Sequence, residues 1–181
     1  MTGKKKMARK KIELKKFIRL IPDWPKRGIL FRDITPLLAD ADAFSAAVKA
    51  LCAGLEKSNV DYVVAVEARG FIFGAAVAQK LAAGFIPVRK KGKLPFDTED
   101  ITYDLEYGKD SLEIHSDAIK KGSMVLMVDD LLATGGTMAA ACKLVEKLGG
   151  KILAISFLIE LTELAGREKL KKYIVKSAIS Y

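Results

Sequence analysis

The stretch Val125-Leu126-Met127-Val128-Asp129-Asp130-Leu131-Leu132-Ala133-Thr134-Gly135-Gly136-Thr137 constrains the fold more than any other part of the chain. Four consecutive apolar residues fit a strand covered on both faces, as in a parallel sheet. Asp129 and Asp130 fall where that strand is expected to end. In open α/β sheets, ligands bind just beyond the carboxyl ends of strands. Thr134 to Thr137 then offer small side chains and backbone N–H groups at the start of a helix. Such a terminus carries partial positive charge and unpaired donors, so it suits a phosphate. The two acids would repel that phosphate, but carboxylates accept hydrogen bonds from sugar hydroxyls. The segment therefore reads as a seat for a sugar phosphate. No Gly-Lys-Ser/Thr follows, which excludes a Walker A loop, and the Gly-x-Gly-x-x-Gly spacing of a dinucleotide site is missing. A plain strand–turn–helix with a solvated acidic pair is the competing reading. A turn of this composition is not needed for a plain βα connection, which argues against it.

The rest of the chain alternates strand-like and helix-like patterns. Ile12–Leu20 has a short helical apolar pattern, and 21–28 is a Pro/Gly-punctuated loop. Asp42–Lys57 reads as an amphipathic helix with Phe44, Ala47, Val48, Leu51 and Leu55 on one side. Tyr62–Val66 is a buried strand, Gly70–Ala82 a helix closed by Gly84, Phe85–Val88 a strand, and Arg89–Lys93 a basic turn. From Leu94 to Glu113 apolar and polar residues alternate, which predicts a half-exposed antiparallel hairpin. Met124–Val128 is the strand of the opening motif, and Gly135–Leu148 its helix, stopped by Gly149-Gly150. Ile152–Ile159 is a strand, 164–170 a helix, and Tyr173–Ile179 a last strand. This order predicts a doubly wound α/β fold with a mainly parallel twisted sheet flanked by helices.

At 181 residues the chain fits one domain, read as a basic tail over 1–16 and a single domain over 17–181 with a flap at about 94–113. The net charge of +9 suggests nucleic acid until it is located. Residues 1–16 hold eight Lys or Arg against Glu13 alone, so seven of those charges belong to the tail. That makes the tail the one hint of nucleic-acid binding. No apolar run reaches a membrane span. The basic N-terminus lacks the apolar stretch of a secretory signal. Cys52 and Cys142 sit in helix-like apolar patterns and read as buried free thiols, which fits a reducing cytoplasm.

Two further strand ends bear on the site. Val66-Glu67-Ala68-Arg69-Gly70 repeats the strand–turn–helix order, with Gly70 permitting backbone approach and Arg69 bringing a forked cation. Arg89-Lys90-Lys91-Gly92-Lys93 is either a solvated basic turn or a neutraliser of pyrophosphate. Glu106, on the expected hairpin, is either an exposed strand residue or a carboxylate that closes over the site and exchanges a proton. His115 alternates with Glu113 at the hairpin's end and is expected to face solvent.

Assembled, these pieces resemble the type I phosphoribosyltransferases, and within them the adenine branch. VLMVDDLLATGGT at 125–137 resembles the family's signature for phosphoribosyl pyrophosphate (PRPP). GILFRDITPLL at 28–38, EARGFIFG at 67–74, VRKKGKLP at 88–95, YDLEYGKDSLEIH at 103–115 and ELTELAGREKL at 160–170 narrow it to adenine enzymes. The resemblance covers about 18–180. It implies a type I fold with an antiparallel flap hairpin and a small N-terminal hood. The implied reaction is adenine plus PRPP giving AMP and pyrophosphate, with Mg²⁺ on the pyrophosphate and no direct protein ligand, in a homodimer.

The resemblance also implies roles by position. Asp129 and Asp130 would bind the ribose hydroxyls, and Ala133, Thr134, Gly135, Gly136 and Thr137 would wrap the 5′-phosphate. Arg69, Arg89, Lys90 and Lys93 would face the pyrophosphate. Phe31 and Leu131 would sandwich the purine, with backbone groups of Leu30 and Arg32 on its Watson–Crick edge. Glu106 would lie beside the base. Where 6-oxopurine relatives tend to hold an acid, this chain has Ala133, which favours an adenine pocket. Ala68 stands where relatives often have serine, Phe96–Glu99 falls in a variable stretch of the flap, and the lysine-rich tail matches nothing in the family. Two alternatives stay open: a regulator that keeps the PRPP fold but binds nucleic acid, and an enzyme of the same fold using another base. Only about 17 residues precede the matching region, too few for a winged helix.

Overall fold

A computed structural model describes residues 12–104 and 108–181. Glu106 and most of the basic tail therefore lie outside the described residues. The chain divides into two compact units at Ala47/Val48.

In the N-terminal unit, β1 (Arg19–Ile21) pairs antiparallel with β2 (Phe31–Asp33), and α1 covers Thr35–Ala39. The helix expected over 12–20 is a 3₁₀ turn at Leu14–Phe17 that gives way to β1. Pairing of Arg19, Leu20 and Ile21 with Asp33, Arg32 and Phe31 sets the extended backbone there, which the apolar count over 12–20 does not reveal. Asp33 closes β2 by accepting hydrogen bonds from the Thr35 N–H (2.9 Å) and hydroxyl (2.8 Å). That is the local side-chain bonding that starts a turn rather than extends a strand. The helix α2 (Ala41–Leu51) runs across the division between the units. It stops six residues before the expected Lys57, in turns that include Gly54 at φ +74°.

The C-terminal unit is a seven-stranded sheet in the order β5-β6-β4-β3-β7-β8-β9. Its strands are β3 (Tyr62–Val66), β4 (Gly84–Lys90), β5 (Thr98–Asp104), β6 (Lys109–His115), β7 (Met124–Leu132), β8 (Lys151–Glu160) and β9 (Val175–Ser180). The pairs β4–β3–β7–β8–β9 are parallel, while β5, β6 and the β6–β4 pair are antiparallel. The expected fold class, a mainly parallel sheet with an antiparallel hairpin, is what forms.

The helices α3 (Arg69–Leu81) and α4 (Gly136–Lys147) lie on opposite faces. Val64 and Val66 pack in one cluster with Met138, Ala141 and Leu144 of α4. Ala65 points the other way, and a Cβ on Gly74 of α3 would stand 2.6 Å from its Cβ. Alternation along β3 thus feeds both layers. Gly84 does not close α3. Ala82 does, in the left-handed region at φ +54°, and Gly84 opens β4 where a Cβ would press on the Tyr62 ring at 2.9 Å. The hairpin is not confined to a half-exposed edge. Pairing of Arg89 with Glu113 and Lys90 with Leu112 draws β6 against β4, so Leu112, Glu113 and Ile114 are buried.

Candidate active site

The strand β7 carries the acids further inward than expected. It continues through Asp129 and Asp130 to Leu132, because Leu131 and Leu132 still pair with Ile159 and Glu160 of β8. Asp130 is 6% exposed and forms an ion pair with Arg69, Nε to Oδ2 at 2.9 Å. Asp129 accepts the Asp130 N–H at 2.9 Å. Burial, with the charge of Asp130 beside it, pushes the Asp129 carboxyl well above the usual range. Burial also raises the Asp130 carboxyl, and Arg69 opposes that rise.

Gly70 explains how Arg69 reaches the acids. A Cβ there would lie 2.6 Å from Asp129 Oδ1, so only glycine lets the start of α3 approach β7 this closely.

Beyond β7 the chain turns through Ala133, Thr134 and Gly135 into α4. Gly135 sits in the left-handed region at φ +76°, and no side chain caps the first turn of α4. The N–H groups of that turn, with the positive end of the helix, are therefore the site's built-in donors to an anion. Residues 66–69, 129–131 and 133–138 line one cavity of 330 Å³. It thus holds Arg69, Asp129, Asp130, Leu131 and all five residues of the 133–137 loop among the expected site positions. This volume falls within the range of small-molecule pockets.

The basic segment is more ordered than a solvated turn. Arg89 and Lys90 end β4, and Glu67 organises them. Its Oε2 accepts from Arg89 Nε (3.2 Å) and Nη2 (3.1 Å), and its Oε1 accepts from the Lys90 N–H (2.7 Å). Lys93 Nζ lies 3.3 Å from the same carboxylate. Burial pushes the Glu67 carboxyl up, but these donors outweigh it and hold it below the ordinary glutamate range. Glu113 plays a matching part from β6, accepting the Lys93 and Leu94 N–H groups at 2.8 and 2.7 Å. Lys90 Nζ meets Asp110 at 3.1 Å. So Arg89 and Lys93 share one carboxylate beside the cavity, while the Lys90 side chain turns to the hairpin. Neither organising acid was legible as such: both sit at strand positions where the sequence shows only a charge.

Glu67→Gln tests this. The lowered carboxyl adds stability that is present above the unfolded glutamate value and lost as pH falls through the folded one. The variant is expected to melt lower than the parent at neutral pH, with the gap closing below about pH 4. A gap that persists unchanged into acid would contradict it.

Among the adenine positions, Leu131 lines the cavity. Leu30, Phe31 and Arg32 belong to the N-terminal unit, where the Phe31 ring meets Trp24 edge-on at 4.4 Å. His115 departs from its expected solvent-facing place: it is half-buried, edge-on to Phe96 at 6.2 Å, and its Nε2 is shielded with no hydrogen-bond partner among the described residues.

Comparison with known proteins follows the same direction. The phosphoribosyl transferase domain family matches residues 38–180. An adenine phosphoribosyltransferase of Clostridium kluyveri is 58% identical over 164 residues, spanning 91% of this chain and 95% of that protein. That of Methanococcus vannielii is 56% identical over 170 residues, 94% of this chain and 98% of its own. The crystal structure of the adenine phosphoribosyltransferase of Thermoanaerobacter pseudethanolicus superposes with TM-score 0.90 at 55% identity, covering 93% of this chain and 98% of that one. The Saccharomyces cerevisiae adenine phosphoribosyltransferase, solved with an imino-altritol bisphosphate and adenine, has TM-score 0.85 at 43% identity, covering 90% and 94%.

Proposed function

We propose, from the fact that the chain belongs to the phosphoribosyl transferase family and to its adenine phosphoribosyltransferases, that its site moves the 5-phosphoribosyl group of PRPP onto adenine, giving AMP and pyrophosphate. The observation that carries this reading is the cavity in which a buried and a half-buried carboxylate stand beside an uncapped helix N-terminus. Sugar hydroxyls and a phosphate need those two features side by side.

Asp129 and Asp130 grip the ribose hydroxyls, and residues 133–137 hold the 5′-phosphate. As pyrophosphate leaves, the sugar carbon gains cationic character, so positioning and charge stabilisation do most of the work. Arg69, Arg89 and Lys93 receive the departing anion, and Lys90 joins them by leaving Asp110. Arg89 and Lys93 come to it already aligned by Glu67, which shortens the rearrangement needed. Mg²⁺, held by the pyrophosphate rather than by a protein side chain, would supply neutralisation of the departing charge. The residues present fit an ion carried on the substrate: Glu67 is engaged by Arg89 and Lys93, and Asp129 and Asp130 serve the ribose hydroxyls, so the pyrophosphate itself would hold it. Leu131 offers the cavity an apolar face for the purine, and Phe31, Leu30 and Arg32 keep the base-binding roles that the resemblance implies. Ala133 leaves room for an amino-substituted ring where an acid would favour a 6-oxopurine.

Glu106 accepts the purine proton or orients the ring. Glu106→Gln is expected to lower kcat by about 100-fold or more while changing the KM for adenine far less. An unchanged kcat would remove Glu106 from the chemistry.

The exposed apolar residues Leu20, Trp24, Ile29 and Leu30 of the N-terminal unit support a homodimer contact there. Free, buried Cys52 and Cys142 support a reducing cytoplasm. Among the described residues no helix is long and apolar enough to cross a membrane.

Calorimetry with PRPP in buffers of different ionisation enthalpy tests the seat itself. Ribose hydroxyls favour the charged form of an acidic pair whose pKa burial has raised, so binding is expected to release protons in mild acid. Asp129→Asn/Asp130→Asn should abolish that release and most of the affinity. Tight PRPP binding by this double variant would refute the seat.

A further inference from the structure

The segment Glu160–Leu170, prominent in sequence, has no task in the mechanism above. Its placement gives it one. Glu160 pairs in register with Leu132, the last strand residue before the phosphate loop, and the Leu161 N–H donates to the Leu132 carbonyl at 2.9 Å. Two 3₁₀ turns, Thr162–Leu164 and Gly166–Leu170, then fold the chain back, correcting the continuous helix expected over 164–170.

Gly166 is wedged against the loop. A Cβ on Gly166 would collide with the Ala133 carbonyl oxygen and come within 2.8 Å of Leu132 Cδ1. A Cβ on Gly135 would collide with the Gly166 carbonyl oxygen. One residue therefore abuts the loop at both Ala133 and Gly135. The loop has small side chains and no side-chain cap, so its direction depends on such outside support.

The neighbouring Arg167 fixes Gly166. Its Nε and Nη2 donate to Glu160 Oε1 and Oε2 at 2.6 and 2.7 Å, and Nη1 donates to the Val175 carbonyl at 2.8 Å. Nη2 also reaches Ser177 Oγ at 3.1 Å, and that hydroxyl donates to Glu160 Oε2 at 2.6 Å. A two-pronged guanidinium–carboxylate pair sets orientation as well as distance. Glu160 is 5% exposed and Leu170 fully buried, so both ends of the segment are anchored.

We propose that Arg167 is a positioning residue for the 5′-phosphate: by gripping Glu160 it clamps Gly166 under the loop and fixes the aim of the loop's N–H groups. This rests on the reading of residues 133–137 as the phosphate seat. The Arg167 side chain is 46% exposed, so its ion pair adds little to stability alone. A loop displaced by about 1 Å, however, changes binding and rate by up to ~100-fold.

The test uses Arg167→Gln, Arg167→Lys and Ser177→Ala, with calorimetry of ribose 5-phosphate and of pyrophosphate, and steady-state kinetics. Arg167→Gln is expected to raise the Kd of ribose 5-phosphate and the KM of PRPP by about 10-fold, with the pyrophosphate Kd and adenine KM within about 2-fold. Arg167→Lys, which keeps charge but loses the fork, should recover part of this. An unchanged ribose 5-phosphate Kd in Arg167→Gln, whatever its melting temperature, would overturn the proposal. If that variant does not fold, Ser177→Ala decides: a raised ribose 5-phosphate Kd supports the clamp and an unchanged one overturns it. A parent protein that fails to bind ribose 5-phosphate would instead overturn the phosphate-seat reading.

Discussion

Gly135→Ala is expected to lower kcat/KM for PRPP by about 100-fold and to cost about 3 kcal/mol of stability. Two effects add. The residue sits at φ +76°, where an L side chain costs roughly 1–2 kcal/mol. The new Cβ would also meet the Gly166 carbonyl oxygen, which is backbone and cannot rotate away. Relief requires either the loop or the 160–170 segment to move, at about 1–3 kcal/mol for overpacking. For a chain of this length that total lowers the melting temperature by roughly 6–12 °C. The adenine KM should hold within a few-fold, because the strain is centred on the phosphate loop. A variant with unchanged melting temperature and unchanged PRPP kinetics would show that the loop tolerates a Cβ and that the Gly135–Gly166 contact does not set its shape. Gly136→Ala is the control for stability alone: a Cβ there meets nothing closer than 3.7 Å.

Arg69→Leu has the second large effect, through a charge it leaves behind. Asp130 is 6% exposed and its ion pair with Arg69 is 2.9 Å long. Removing one partner of a buried pair costs roughly 3–5 kcal/mol, because the other charge stays buried and unpaired. Arg69 is 38% exposed, so the low end of that range applies. The sign of the pH dependence follows from the same pair. Burial already raises the Asp130 carboxyl and Arg69 holds it down, so the variant raises it further. A raised acid favours the folded state while protonated, and that advantage is lost as pH rises above the ordinary aspartate value. The stability deficit is therefore expected to be small in mild acid and full at neutral pH. Arg69→Leu/Asp130→Asn should regain most of the lost stability without regaining PRPP binding. If the second substitution regains nothing, Asp130 was not the stranded charge.

The sheet was largely legible because its strands are buried on both faces. Tyr62–Val66 is bounded by the same residues in sequence and structure, since apolar runs between polar turns leave little choice. Errors arose where pairing overrides local pattern. β7 runs on through two aspartates because β8 continues beside it to Glu160, and nothing in VLMVDD announces that partner. The pattern points to Gly84 as the end of α3, yet Ala82 takes the left-handed turn and Gly84 clears Tyr62. The site shows the same division. Asp129, Asp130 and the glycine loop were legible because their chemistry is local to one segment. Glu67 and Glu113 act across 22 and 20 residues, and Arg167 acts through a neighbour's backbone, so their partners emerge only in three dimensions.

Adenine phosphoribosyl transfer in this cavity can be measured outright. Incubating the full chain with PRPP, Mg²⁺ and, in parallel, adenine, hypoxanthine, guanine, xanthine and uracil, while quantifying nucleotide and pyrophosphate, tests it most directly. AMP and pyrophosphate are expected in equal amounts from adenine, with no nucleotide from the other bases above background. Turnover of a different base would contradict the adenine pocket, and no turnover with any base, alongside salt-dependent DNA binding lost on removing residues 1–16, would replace the enzyme with a nucleic-acid-binding regulator.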